Sequence, residues 1–143
     1  IATGERHLTR WGFRDIVEKE ACAVLQPDIR HAGGILEMKK IANLAETHAL
    51  SLAPHNAAGP VGVAASVHAM ATVPNFLICE GGASRGQGLF VEPLTFSNGF
   101  FDLPTGPGLG FEFDEEALEA ARDESFRFRG MWRSEEDGSF ADF

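Results

Sequence analysis

The sequence predicts an α/β protein with a parallel sheet, arranged as part of a (β/α) barrel. Three observations predict it. Short apolar runs alternate with amphipathic stretches from the start of the chain to Glu80, the βαβα order that favours parallel strands joined by right-handed crossovers. Four chemically capable residues, Glu5, Asp28, His55 and Glu80, stand at or just past the ends of the apolar runs, 23, 27 and 25 residues apart. One such residue per βα unit is what a barrel active site requires, because the strand C-termini of a barrel converge on one face. Finally, 143 residues are too few to close eight βα units, which take about 250 residues, so the chain reads as a fragment of a barrel.

Each element follows from local pattern. An apolar opening ends at Gly4-Glu5-Arg6, and Thr9 to Glu20 forms a helix with Phe13, Ile16 and Val17 on one side. Ala21 to Gln26 reads as a buried strand stopped by Pro27-Asp28. After Gly33-Gly34, Ile35, Met38, Ile41, Ala42 and Ala45 recur at helical spacing. Leu50 to Ala53 is a short strand ended by Pro54-His55. Pro60 opens an apolar helix to about Thr72, and Phe76 to Cys79 is a further strand. Beyond Glu80 the character changes. GGASRGQG is a polar loop, and LFVEPLTF and FFDL flank Ser97-Asn98-Gly99, where Asn-Gly suits the positive φ of a type I′ hairpin turn. Asp114 caps a last, acidic helix, and the tail from Phe126, with Trp132, is read as packing.

Composition narrows the function classes. Twelve basic against twenty-one acidic residues give a formal charge of −9, a surface that repels nucleic acid and anionic lipid. Cys22 and Cys79 lie in apolar stretches without paired spacing, so both are expected as buried, reduced thiols in a cytoplasmic setting. No apolar run reaches membrane-spanning length, and no membrane association is expected. No two histidines have the spacing of a helical zinc pair, and GPGLG lacks the strand-before, helix-after context of a nucleotide loop and is assigned to turns.

The runs ATGER, LQPDIRHAGGILEMKKIA, LAPHNAAGP, LICEGG and PTGPGLGFEFDEEAL, followed by GMWRSEEDGSF, resemble the C-terminal half of the mandelate racemase subgroup of the enolase superfamily, and galactonate dehydratase-like members especially. The resemblance implies the C-terminal half of an enolase-type (β/α) barrel, about strands five to eight, plus a C-terminal hairpin and tail. Residues 1–143 are then expected to be part of the barrel domain, with the N-terminal capping domain and first barrel strands lying outside the sequence. It further implies a Mg²⁺-dependent dehydratase that removes the proton α to the carboxylate of a sugar acid and eliminates water; the alternatives are a racemase, epimerase or cycloisomerase of the same subgroup, or a non-catalytic assembly module for the chain as it stands. The family tends to form homo-oligomers. One departure stands out, because Ala57-Ala58 replaces the family's usual Pro-Leu pair.

Roles are carried over residue by residue. Glu5 matches a metal carboxylate, a hard oxygen donor of the kind Mg²⁺ prefers. His55 matches the general base, and Asp28 the carboxylate that fixes its tautomer. Glu80 matches the acid that hydrogen-bonds the substrate carboxylate or the enediolate, a role that its apolar approach FLIC favours. Without the resemblance each would read more simply: a surface Glu, a structural His, a helix or turn cap for Asp28, and a solvated Glu at a loop. His31 either lines the site or caps the Gly33-Gly34 helix entry, His7 packs at a helix entry, and His48 and His68 are structural. With one of the family's metal carboxylates in the sequence, the isolated chain is expected to bind Mg²⁺ weakly and to show no turnover.

Overall fold

In a computed structural model of the chain, which describes residues 1–57, 59–81 and 87–125, strands and helices alternate as the sequence pattern predicts. Strands β1 (Ala2–Thr3), β2 (Val24–Leu25) and β3 (Ser51–Leu52) pair in parallel in the order β1-β2-β3. The register sets Ala2 against Val24 and Thr3 against Leu25, then Val24 against Ser51 and Leu25 against Leu52. The ladder runs on past the named strands. Asp28 bridges His55 in parallel, with His55 N–H donating to Pro27 O at 3.2 Å. Leu52 bridges Phe76, and Leu77 N–H donates to Leu52 O at 2.7 Å.

The strands are shorter than the apolar runs suggest. Ala21 to Gln26 contributes only Val24–Leu25, and Phe76 to Cys79 has a single bridge instead of a strand. The segment at Phe76 pairs with β3 on one side only, so its far edge finds no ladder partner among the described residues. Phe76, Leu77 and Ile78 are correspondingly exposed.

Helix α1 (Thr9–Glu18) turns Phe13 and Val17 into the core and leaves Arg14 and Asp15 outside. No side chain caps it locally. Instead Glu37 of α3 (Ile35–Glu46) accepts the Arg10 backbone N–H at 2.9 Å and the Arg10 guanidinium at 2.7 Å, supplying a cap from another helix. These bonds hold the Glu37 carboxyl below its usual range. On α3, Met38, Ile41, Ala42 and Ala45 are buried as the spacing predicts, whereas Ile35 is exposed in the first turn. A short helix α2 (Ile29–Ala32), not foreseen, starts on Asp28 and stops at Gly33, whose left-handed φ of 111° excludes most side chains. Helix α4 (Pro60–Met70) begins with Pro60 in its first turn and is buried at Val63, Ala64, Ser66 and Ala69. Phe13, Val17, Leu25, Met38, Ile41 and Leu52 make the core between sheet and helices.

The hairpin is present as β4 (Phe96–Ser97) and β5 (Phe100–Phe101), antiparallel, with φ of 51° at Asn98 and 85° at Gly99. Asp114 Oδ1 accepts from Ala117 N–H at 3.0 Å and caps α5 (Glu115–Ala120). The GPGLG run makes turns, with Gly108 and Gly110 at positive φ. His68 ties α4 to this segment, its Nε2 lying 3.1 Å from Leu109 O, which agrees with a structural role. The tail with Trp132, most of the loop GGASRGQG, and Ala58 lie outside the described residues.

Candidate active site

The parallel register decides which side chains meet. Because Asp28 and His55 are bridge partners just beyond β2 and β3, their side chains are adjacent on neighbouring strand ends. His55 Nδ1 lies 3.0 Å from Asp28 Oδ2. Glu5 follows β1, and its Oε2 is 3.2 Å from His55 Nε2. Glu80 joins through the next strand end, where its N–H donates to Pro54 O at 3.3 Å and its Oε2 lies 3.8 Å from His55 Nε2. The structure therefore brings together all four residues picked from the sequence, with the three carboxylates around the His55 imidazole.

Their environments differ. Asp28 is 1% exposed, whereas the Glu5 and Glu80 side chains are 58% and 55% exposed and that of His55 is 20%. Burial pushes the Asp28 carboxyl up. Hydrogen bonds from the Arg30 side chain and backbone N–H, the contact with His55 and the Arg30 charge outweigh it and hold the carboxyl down at about 2. Asp28 is thus an ionised acceptor at neutral pH, and His55 Nδ1–H donates to it. Nε2, on the other side of the ring, faces Glu5 and Glu80.

Asp28 also caps α2, its Oδ1 accepting from Arg30 N–H at 2.9 Å. The two readings of Asp28, cap and dyad partner, hold together because the two oxygens divide the work. Glu80 Oε2 accepts from Asn56 N–H at 2.8 Å. Among the described residues the apolar surround expected for Glu80 is not formed, since Leu77 and Ile78 are exposed. His31 Nδ1 is 3.0 Å from Glu5 O and steadies the turn that bears Glu5. His7 packs edge-on against Phe13 at 5.5 Å. Cys22 is buried as expected, but Cys79 is only partly so. Both are free, and burial together with the Glu80 charge pushes the Cys79 thiol up to about 11, which leaves it an unreactive thiol.

Two residues of the site were missed from the sequence. Arg30 grips Asp28, and Asn56 meets Glu80 through its backbone while burying a side-chain Nδ2 that has no hydrogen-bond partner among the described residues. Neither carries a spacing signal beyond adjacency to a picked residue.

The donor set bears on metal binding. Glu5 offers hard carboxylate oxygen, the right chemistry for Mg²⁺, but its Oε2 is engaged with His55. Among the described residues no group of three or more His, Cys, Asp or Glu is arranged to hold a metal ion. The described residues therefore offer hard carboxylate oxygens at Glu5 and Glu80 but no complete metal site. No helix among the described residues is long and apolar enough to cross a membrane.

Comparison with known proteins agrees with this geometry. The family model described as enolase C-terminal domain-like matches residues 1–117. A D-galactonate dehydratase of Cronobacter sakazakii is 38% identical over the whole of this chain, which spans 40% of that protein. Among solved structures, a mandelate racemase/muconate lactonizing enzyme from Jannaschia sp. CCS1 superposes with a TM-score of 0.81 at 38% identity, covering 89% of this chain and 33% of its own. One from Sulfitobacter sp. does so with a TM-score of 0.78 at 42% identity, covering 83% and 30%. With parallel βα units ending in Glu5, Asp28, His55 and Glu80, the chain belongs to the enolase C-terminal domain-like family and has the α/β fold of the C-terminal half of its barrel.

Proposed function

We propose that the protein containing this sequence is a Mg²⁺-dependent acid-sugar dehydratase acting on an aldonate such as galactonate. It would abstract the proton α to the carboxylate and expel a β-hydroxyl as water, giving a 2-keto-3-deoxy sugar acid. The observation that carries the reading is the dyad: His55 Nδ1 at 3.0 Å from a buried, ionised Asp28, with Nε2 turned toward two carboxylates. A neutral imidazole fixed in this tautomer is a competent base near neutral pH. The 38% identity to a D-galactonate dehydratase supports the substrate class.

In this reading His55 takes the α-proton on Nε2 and Asp28 stabilises the resulting imidazolium. Glu80, fixed by Asn56 N–H, lies on the same side of the ring and meets the substrate carboxylate or the enediolate as a hydrogen-bonding acid. Glu5 would be one ligand of the metal, the others coming from parts of the protein outside this sequence. When bound, the cation offsets the negative charge that builds as the carbon acid ionises.

The test uses the full-length protein with Mg²⁺ and a panel of aldonates, in parent and His55→Asn forms, with 2-keto-3-deoxy acid measured directly. Formation by the parent and a loss of about 100-fold or more in the variant is the expected result. Exchange of the α-proton or inversion without dehydration would transfer the protein to the racemase and epimerase branch, which the likeness to mandelate racemase/muconate lactonizing enzymes keeps in view. An unaffected variant would refute the dyad.

A further inference from the structure

Arg30 makes three bonds to Asp28. Its Nε donates to Oδ1 at 3.0 Å and its Nη2 to Oδ2 at 2.6 Å, a two-point fork, while its backbone N–H donates to Oδ1 at 2.9 Å. Oδ2 is the same atom that faces His55 Nδ1. The fork therefore fixes the plane of the carboxylate and the direction of the lone pair offered to the imidazole. Arg30 itself reaches outward, its side chain 46% exposed, so it braces the dyad from the solvent side.

Burial makes this brace consequential. Asp28 is 1% exposed, and without the guanidinium only the Arg30 backbone N–H and His55 would hold its carboxylate. A carboxylate free to turn would offer His55 Nδ1 a poorly aimed acceptor. The neutral imidazole would then lose the contact that selects Nδ1–H over Nε2–H.

We propose that Arg30 is a positioning residue for His55: its guanidinium fixes the plane of the buried Asp28 carboxylate, so that His55 holds its proton on Nδ1 and turns Nε2 toward Glu5 and Glu80. The inference rests on the dyad reading above and adds to it a residue that acts only through Asp28.

The test compares the full-length protein with its Arg30→Met variant, by ¹⁵N spectra of the His55 ring at a pH where the ring is neutral. The parent is expected to show the proton on Nδ1, and the variant to move it wholly or partly to Nε2. A parent with its proton on Nε2 would end the dyad reading and this inference with it. A parent on Nδ1 with an unchanged variant would overturn the role of Arg30 alone. The spectra need no substrate and decide the matter by themselves. Should Arg30→Met not fold, Arg30→Lys keeps a cation with one point of contact and is expected to show a mixture of tautomers; an unchanged Nδ1–H there would count against the fork.

Kinetics on galactonate with Mg²⁺ give a second readout. Arg30→Met should lower kcat by about 10- to 100-fold, the usual cost of losing an outer support, with KM within about twofold. Added guanidinium should restore part of kcat to Arg30→Ala. A rise in KM with kcat held would overturn the proposal, because Arg30 would then be binding substrate.

Discussion

Asp28 shows how much one carboxylate can hold. It caps α2 with Oδ1, offers Oδ2 to His55, and both oxygens meet Arg30. Because its folded carboxyl is held down at about 2, below the ordinary value of 3.8, its contribution to stability is fully present above about pH 4 and is lost as pH falls toward 2. The size is roughly 2 kcal/mol, from about 1.4 kcal/mol per pKa unit. Acid titration of the unfolding free energy should show this loss in the parent and less of it in Asp28→Asn. Gly4 is a second position where geometry leaves no room. Its φ is 138°, and a Cβ there would stand 2.6 Å from Phe13 Cε1, a buried ring. Gly4→Ala should cost about 1 to 3 kcal/mol and disturb the turn that presents Glu5, read as a lowered Tm with loss of activity. That Glu5, Asp28, His55 and Glu80 meet was legible because strand ends in a βα fold converge, while the roles expected of them came from the family resemblance alone. Arg30 was not, since its grip depends on the two-residue turn into a short helix that no periodicity announces.

At the scale of elements, the helices were read closely and the strands loosely. Apolar residues at helical spacing located α1, α3 and α4 to within about two residues, because burial of one face against the sheet is a local requirement. Strand length depends instead on the neighbour. Phe76 to Cys79 has the composition of a strand but a partner on one side only, so it registers as a bridge to Leu52. The cap that Glu37 gives to α1 was equally illegible, being a contact across 27 residues. Elements outside the sheet should fail independently of the site. Helix α5 has six residues, none buried, and depends on its Asp114 cap. Asp114→Ala should cost about 1 kcal/mol locally, seen as faster amide exchange at Ala117 and Leu118 with no change at His55. An altered His55 signal would show that α5 is coupled to the site.

At the scale of the whole molecule, what the chain exposes marks what it lacks. Among the described residues the sheet has β1 at one edge and the Phe76 segment at the other, and the apolar side chains beside those edges are uncovered: Ile1 is 92% exposed, Leu77 58% and Ile78 64%. Next to the second edge, Val67, Met70, Phe76 and Phe101 line a cavity of about 460 Å³. Parallel edges of this kind recruit other strands. The chain also spans only 40% of the curated relative and about a third of the solved structures it superposes on. Glu5, Asp28, His55 and Glu80 meet within these residues, but no group among the described residues is arranged to hold a metal ion. The isolated 143-residue chain should therefore self-associate as its concentration rises, bind a hydrophobic dye, and give no turnover with galactonate and Mg²⁺. Light scattering across a dilution series, set beside the full-length protein, checks this. A monodisperse chain that binds no dye would mean that the exposed edges are tolerated in water. Turnover by such a chain would show that Glu5, Asp28, His55 and Glu80 suffice, and would overturn the placing of the remaining metal ligands outside this sequence.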